Sequence, residues 1–153
     1  MPGRTQSVPH PLPDLECACA NVRRTARLVT QLYSHEMGGN VEPAQFSLLT
    51  VLSRKPGASQ APLGRALGLD KTTLSRNLRL MEKNGWIVPV LTDDHRERGY
   101  QLTAAGQKIL AEAKPGWSRA QAKLRAALKP GEWESLLEVF GRVAEAALAA
   151  QGS

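Results

Sequence analysis

Residues 62–102 read PLGRALGLDKTTLSRNLRLMEKNGWIVPVLTDDHRERGYQL, and their punctuation decides the fold. A short helical segment, Pro62 to Leu67, closes at Gly68. Asp70 then offers an N-cap for a longer helix over Lys71–Asn84, which Gly85 terminates. Within that helix Leu74, Leu78 and Met81 recur at i, i+4 and i+7, so one stripe faces inward. A short helix, a glycine turn and a longer helix make the helix-turn-helix outline. After Gly85 the period changes. Residues 86–91, WIVPVL, are β-rich, Tyr100-Gln101-Leu102 offers a returning strand, and the polar loop TDDHRERG joins them as a hairpin. A charged hairpin directly behind the longer helix is a wing.

Helices extend from this module in both directions. Asp14 is a fair cap for a first helix running to Glu36 or Met37, with Leu15, Ala18, Val22, Ala26, Val29 and Tyr33 on one stripe. Gly38-Gly39 stops it, and Pro43 suits the first turn of a second helix to about Ser53, with Phe46, Leu49 and Leu52 inside. Downstream, Thr103 caps a helix to about Lys114, where Pro115-Gly116 predicts a break or kink. A last helix over about 132–150 carries Trp133, Leu136, Leu137, Phe140 and Val143 on one side. The expected fold is mostly α with a small β-hairpin wing. A flexible arm spans 1–13 and a single domain 14–153. Within it, residues 43–113 form the winged helix-turn-helix and the helix after it, and 14–38 and 115–150 are dimerisation helices. The flanking apolar stripes need a partner, and a second copy of the chain supplies one.

The bulk numbers fit a polyanionic partner without proving one: 153 residues, 42% hydrophobic, net charge +6. No apolar run is long enough to span a bilayer, and the opening MPGRTQSVPHPLP lacks the apolar core of a signal peptide. Two cysteines, Cys17 and Cys19, are too few for a disulfide framework, so a reducing, cytoplasmic setting is the expectation. The histidines at 10, 35 and 95 are scattered, no cofactor or metal motif is present, and neither a phosphate loop nor a nucleophile motif points to an enzyme.

The outer side of 71–84 carries Lys71, Thr72, Thr73, Ser75, Arg76, Asn77 and Arg79, with no acid between 71 and 79. Arg76 suits a bidentate bond to guanine and Asn77 one to adenine, while the short hydroxyls reach phosphates or base edges. In the wing, Arg96 and Arg98 alternate with His95 and Glu97, which places both arginines on one side of an extended hairpin. A guanidinium on a narrow tip fits the negative potential of a minor groove. Together these predict sequence-specific binding of double-stranded DNA. The competing reading is a winged module that binds only protein.

Several strings resemble the MarR family of winged helix-turn-helix regulators: VEPAQFSLLTVLSRKPGASQAPLGRALGLD, KTTLSRNLRLMEKNGWI and DDHRERGYQLTAAG, followed by the helical end. The wing string is the most specific. The family pattern D-x-R, five residues, then L-T-x-x-G falls on Asp94, Arg96, Leu102, Thr103 and Gly106. Glu42 departs from it, because many relatives cap the second helix there with Thr or Ser. The resemblance implies a minor-groove role for Arg96, a wing-orienting one for Asp94, and a homodimer on a pseudo-palindromic operator. It implies repression as the commoner mode, relieved by a small aromatic effector or by thiol oxidation. An effector site would lie between the first two helices and the winged module, with Tyr33, His35, Phe46 and Trp86 as candidates. Cys17 and Cys19, two apart on a helix, point about 200° away from each other and cannot bridge there. Three roles stay open for them: small buried hydrophobes near the dimer interface, redox sensors beside Arg23 and Arg24, or part of a soft-metal site shared across the dimer.

Overall fold

The structure, a computed structural model, describes residues 12–94 and 96–152. Most of the arm expected at 1–13, together with His10 and His95, lies outside the described residues. Helices α1 (Ala18–Met37), α2 (Pro43–Arg54), α3 (Gln60–Leu67), α4 (Lys71–Lys83), α5 (Ala104–Ala126) and α6 (Glu132–Gln151) alternate with strands β1 (Ala58–Ser59), β2 (Ile87–Leu91) and β3 (Arg98–Leu102). The strands form an antiparallel sheet in the order β1-β3-β2. This is the expected mostly helical winged fold.

The apolar stripes converge on one core. Leu48, Leu49 and Leu52 from α2 meet Leu63 of α3, Leu74, Leu78 and Met81 of α4, Ile87 of β2 and Tyr100 of β3. All nine are essentially removed from water, which fixes α3 and α4 as one rigid pair against α2 and the sheet. At the start of α4 the Asp70 carboxylate accepts the Thr73 N–H at 2.9 Å and the Thr73 hydroxyl at 2.6 Å. These bonds hold the Asp70 carboxyl below the usual carboxylate range, the side-chain hydroxyl contributing most.

The string L-T-x-x-G has a physical account here. Leu102 pairs with Ile87 across the hairpin, and the Thr103 N–H donates to the Trp86 carbonyl at 3.0 Å. The Thr103 hydroxyl accepts the Gly106 N–H, capping α5, and itself donates to the Gly85 carbonyl. A Cβ at residue 106 would stand 1.9 Å from the Trp86 carbonyl oxygen, so only glycine lets α5 start against the wing's root.

Five local expectations need correction. First, α1 begins at Ala18 behind an N-cap at Cys17, not at Asp14. The Asn21 side chain takes the Leu15 and Cys17 carbonyls, and Arg24 takes that of Pro13 at 2.7 Å. Side chains thus occupy acceptors that a longer helix would have offered to its own backbone. Second, β1 went unforeseen. Two residues carry no period, and the strand exists only because β3 pairs with it, Gly57 N–H donating to Tyr100 O at 2.8 Å. Third, Arg96 lies in the turn before β3, so strand alternation does not relate it to Arg98. Fourth, Glu42 does not leave α2 poorly capped, because Gln45 reaches back to accept the Glu42 N–H at 3.0 Å. Fifth, α5 runs unbroken through Pro115-Gly116. There α1 crosses so closely that a Cβ at Gly116 would lie 2.5 Å from Glu36 O and 2.7 Å from Met37 Cα.

Candidate nucleic-acid interface

The seven polar residues expected on α4 divide into two sets. Lys71, Thr72, Arg76 and Arg79 are exposed. Thr73, Ser75 and Asn77 are half-buried and committed to the protein: Thr73 to Asp70, Ser75 Oγ to Gln60 Oε1 at 3.2 Å, and Asn77 Nδ2 to its own helix at Thr73 O, 3.0 Å away. Residues 72, 76 and 79 follow i, i+4 and i+7, so the free cations and Thr72 share one face of α4. Gln60, unremarkable in sequence, ties α3 to α4 through Ser75. Its role has no sequence signal, because the partner is fifteen residues away.

The wing tip is pinned internally. Asp94 Oδ1 accepts the Arg96 N–H at 3.2 Å, and the Glu97 N–H donates to Asp94 O at 2.9 Å. The Thr92 hydroxyl lies against the carbonyls of Asp94 and Glu97 and closes the neck of the hairpin. No ion pair forms between Asp94 and Arg96 among the described residues, so the contact is a backbone turn, and the Arg96 guanidinium stays exposed. Arg98 behaves differently. Its Nη2 lies 3.7 Å from Glu82 Oε1 on α4. Thr92 and Glu82 were not among the residues singled out from sequence.

Each expected effector residue is tied into the protein or lies at its surface. Phe46 stacks on Trp117 with ring centroids 5.9 Å apart, and the Tyr33 hydroxyl donates to the Gln121 side chain. Burial pushes the Tyr33 phenol up. His35 is exposed beside Glu36, and Trp86 packs against the core at the wing's root. Glu36, only 7% exposed at its side chain, gathers Lys123 and Arg119 from α5. The Lys123 ammonium holds its carboxyl below the usual range. A separate open groove is lined by Leu12, Cys17, Cys19, Arg23, Arg24 and Leu28 among others. Both cysteines are free and exposed within the single chain. Among the described residues no cluster of three or more metal-ligating side chains occurs, and no helix is long and apolar enough to cross a membrane.

A family model described as MarR family matches residues 40–98, the span from the start of α2 to the wing. The transcriptional regulator HosA of Escherichia coli O157:H7 is 38% identical over 88 residues. That match covers 56% of this chain and 64% of HosA, so the chain spans less than two thirds of the curated relatives it first matches. The M. tuberculosis transcriptional regulator MosR, solved in complex with DNA, superposes with a TM-score of 0.80 at 32% identity, covering 88% of this chain and 98% of MosR. The transcriptional repressor CouR, solved bound to p-coumaroyl-CoA, gives a TM-score of 0.73 at 27% identity over 84% of this chain and 92% of CouR.

Proposed function

Because this chain belongs to the MarR family of transcriptional regulators, we propose that it is a sequence-specific double-stranded DNA-binding repressor that acts as a homodimer. The observation that carries the reading is the pairing of two exposed basic elements on a rigid frame. Thr72, Arg76 and Arg79 line one face of α4, exposed Lys71 opens the helix, and Arg96 stands on a wing tip fixed by Asp94 and Thr92. The helix suits a major groove and the wing the adjoining minor groove. Likeness to MosR, itself solved with DNA, supports the same assignment.

The homodimer rests on α6. This 20-residue helix has no buried residue, and Leu137, Val139, Phe140, Val143 and Leu148 are all exposed, Leu148 by 72%. In proteins most helical stability comes from packing an amphipathic face rather than from intrinsic propensity. Val22 and Leu28 on α1 are also exposed. Charge favours a second copy as the partner: α6 carries Glu132, Glu134, Glu138 and Glu145 against Arg142, while α1 carries Arg23, Arg24 and Arg27. A two-fold dimer would set its α4 helices about 34 Å apart, one turn of duplex.

Release from DNA is assigned to a small aromatic ligand or to thiol oxidation. CouR's p-coumaroyl-CoA complex supports the first. The second is favoured by two exposed thiols and by Cys17 standing outside the helix, where opposition across a helix does not apply to it. In that route one thiolate attacks a hydroperoxide, giving a sulfenate and an alcohol. The sulfenate takes up a proton from solvent to become the sulfenic acid, and the other thiolate attacks its sulfur, breaking the S–O bond and releasing hydroxide as the disulfide forms. A fluorescence-anisotropy titration of the chain on its own upstream DNA tests the whole reading, repeated with phenolic acids and with peroxide. Affinity that falls steeply with salt is expected. A flat response would leave a protein-interaction module as the better description.

A further inference from the structure

Glu82 is the only acid in α4, and it faces the wing rather than bulk solvent. Its partner Arg98 opens β3 opposite Leu91, at the tip end of the β2–β3 ladder, with the carboxylate and guanidinium groups 3.7 Å apart and the side chains 35% and 64% exposed. A partly exposed pair of this kind contributes little to stability. Nor is it needed to aim the wing, which already has the β2–β3 ladder, the Gly57–Tyr100 hydrogen bond and the Thr92 closure. What it does change is the charge presented to DNA. Arg98 has its positive charge balanced by a neighbour on the reading helix, whereas Arg76, Arg79 and Arg96 have no such partner among the described ion pairs.

We propose that Glu82 is a specificity-determining residue: it withholds Arg98 from DNA phosphates and so suppresses sequence-independent binding. This rests on the DNA reading above. Sequence-independent affinity grows with each phosphate neutralised, and each such contact steepens the salt dependence by about 0.9 in log K against log salt. With Glu82 ionised, a phosphate that recruits Arg98 must first displace a carboxylate, so Arg98 adds no contact. With the charge removed, the guanidinium at the neck of the wing is free to reach the backbone beside the bound wing tip.

The test uses the full-length protein with two labelled duplexes, its own upstream region and a shuffled sequence of equal length, between 50 and 200 mM salt. Glu82→Gln keeps size and polarity while deleting the charge, and Glu82→Ala serves as a second variant should glutamine perturb folding. The expected result is a salt slope steeper by about 0.9 on the shuffled duplex for Glu82→Gln, with a smaller change on the upstream duplex, so affinity for the shuffled duplex falls about 3.5-fold further than in the parent over that range. The preference for the upstream over the shuffled duplex narrows. Arg98→Gln leaves the parent slope unchanged, and Glu82→Gln/Arg98→Gln restores it. A slope that flattens in Arg98→Gln alone would show Arg98 already on a phosphate and overturn the proposal, as would an unaltered slope in Glu82→Gln. If the parent protein binds neither duplex, the DNA reading itself fails and takes this inference with it.

Discussion

Gly116→Ala probes the contact on which the flanking helices depend. A Cβ there meets Glu36 O at 2.5 Å, Met37 Cα at 2.7 Å and Glu36 C at 3.0 Å, all main-chain atoms of α1. Ordinary contact begins near 3.4 Å, so the two helices must part by about 0.9 Å at their crossing. No flexible side chain can give way instead. Overpacking of this kind costs about 1–3 kcal/mol, and obstruction by backbone places it at the upper end. Against that, alanine in a helix gains about 1 kcal/mol over glycine. The net loss is about 2 kcal/mol, which for a chain of this size lowers the melting midpoint by about 4–8 °C. Thermal unfolding followed by far-UV circular dichroism, at one fixed protein concentration, reads it directly. The Lys123 and Arg119 contacts to Glu36 flank the crossing, so parting the helices should also weaken operator binding by tilting α1. A Gly116→Ala protein that melts at or above the parent temperature would refute the close-crossing argument.

Four further outcomes follow from the geometry. Arg76→Ala should lose about 1–3 kcal/mol of operator affinity and relax preference at one base position, whereas Arg96→Ala should weaken binding at least about tenfold with the melting point unchanged; anisotropy with a set of single-base operator variants separates the two. The depressed Asp70 carboxyl stabilises the fold fully above its ordinary value of 3.8, and that contribution fades as pH falls through the lower folded value. The melting gap between parent and Asp70→Ala should therefore hold constant from pH 6 to 5 and shrink only below about pH 3.8, and a gap that shrinks already near neutrality would contradict the capping assignment. Phe140→Glu places a charge in the exposed apolar stripe of α6 and should convert the protein to a monomer in sedimentation at micromolar concentration; an undisturbed dimer would move the interface elsewhere.

The reading helix, its cap, its terminating glycine and the hairpin behind it were all legible in the chain, because caps, periods and turns are agreements between residues a few positions apart. Asp70 caps α4 through Thr73, Thr103 caps α5 through Gly106, and the leucines of α4 face inward as their spacing requires. The family signature around Asp94 and Thr103 was legible for the same reason. What stayed hidden involves partners distant in sequence. Pro115 forfeits a helix hydrogen bond and reads locally as a break, yet α5 continues because α1 packs onto Gly116. Two residues become β1 only by pairing with Tyr100 and Gly99. Ser75 reads as a contact to DNA, but its hydroxyl bonds to Gln60 of α3. Arg98 reads as the twin of Arg96 until α4 brings Glu82 beside it. Local chemistry thus determined which elements exist. Which of their side chains remain free to meet DNA was decided by tertiary packing, because a hydrogen bond or ion pair supplied from another element is invisible until the elements meet.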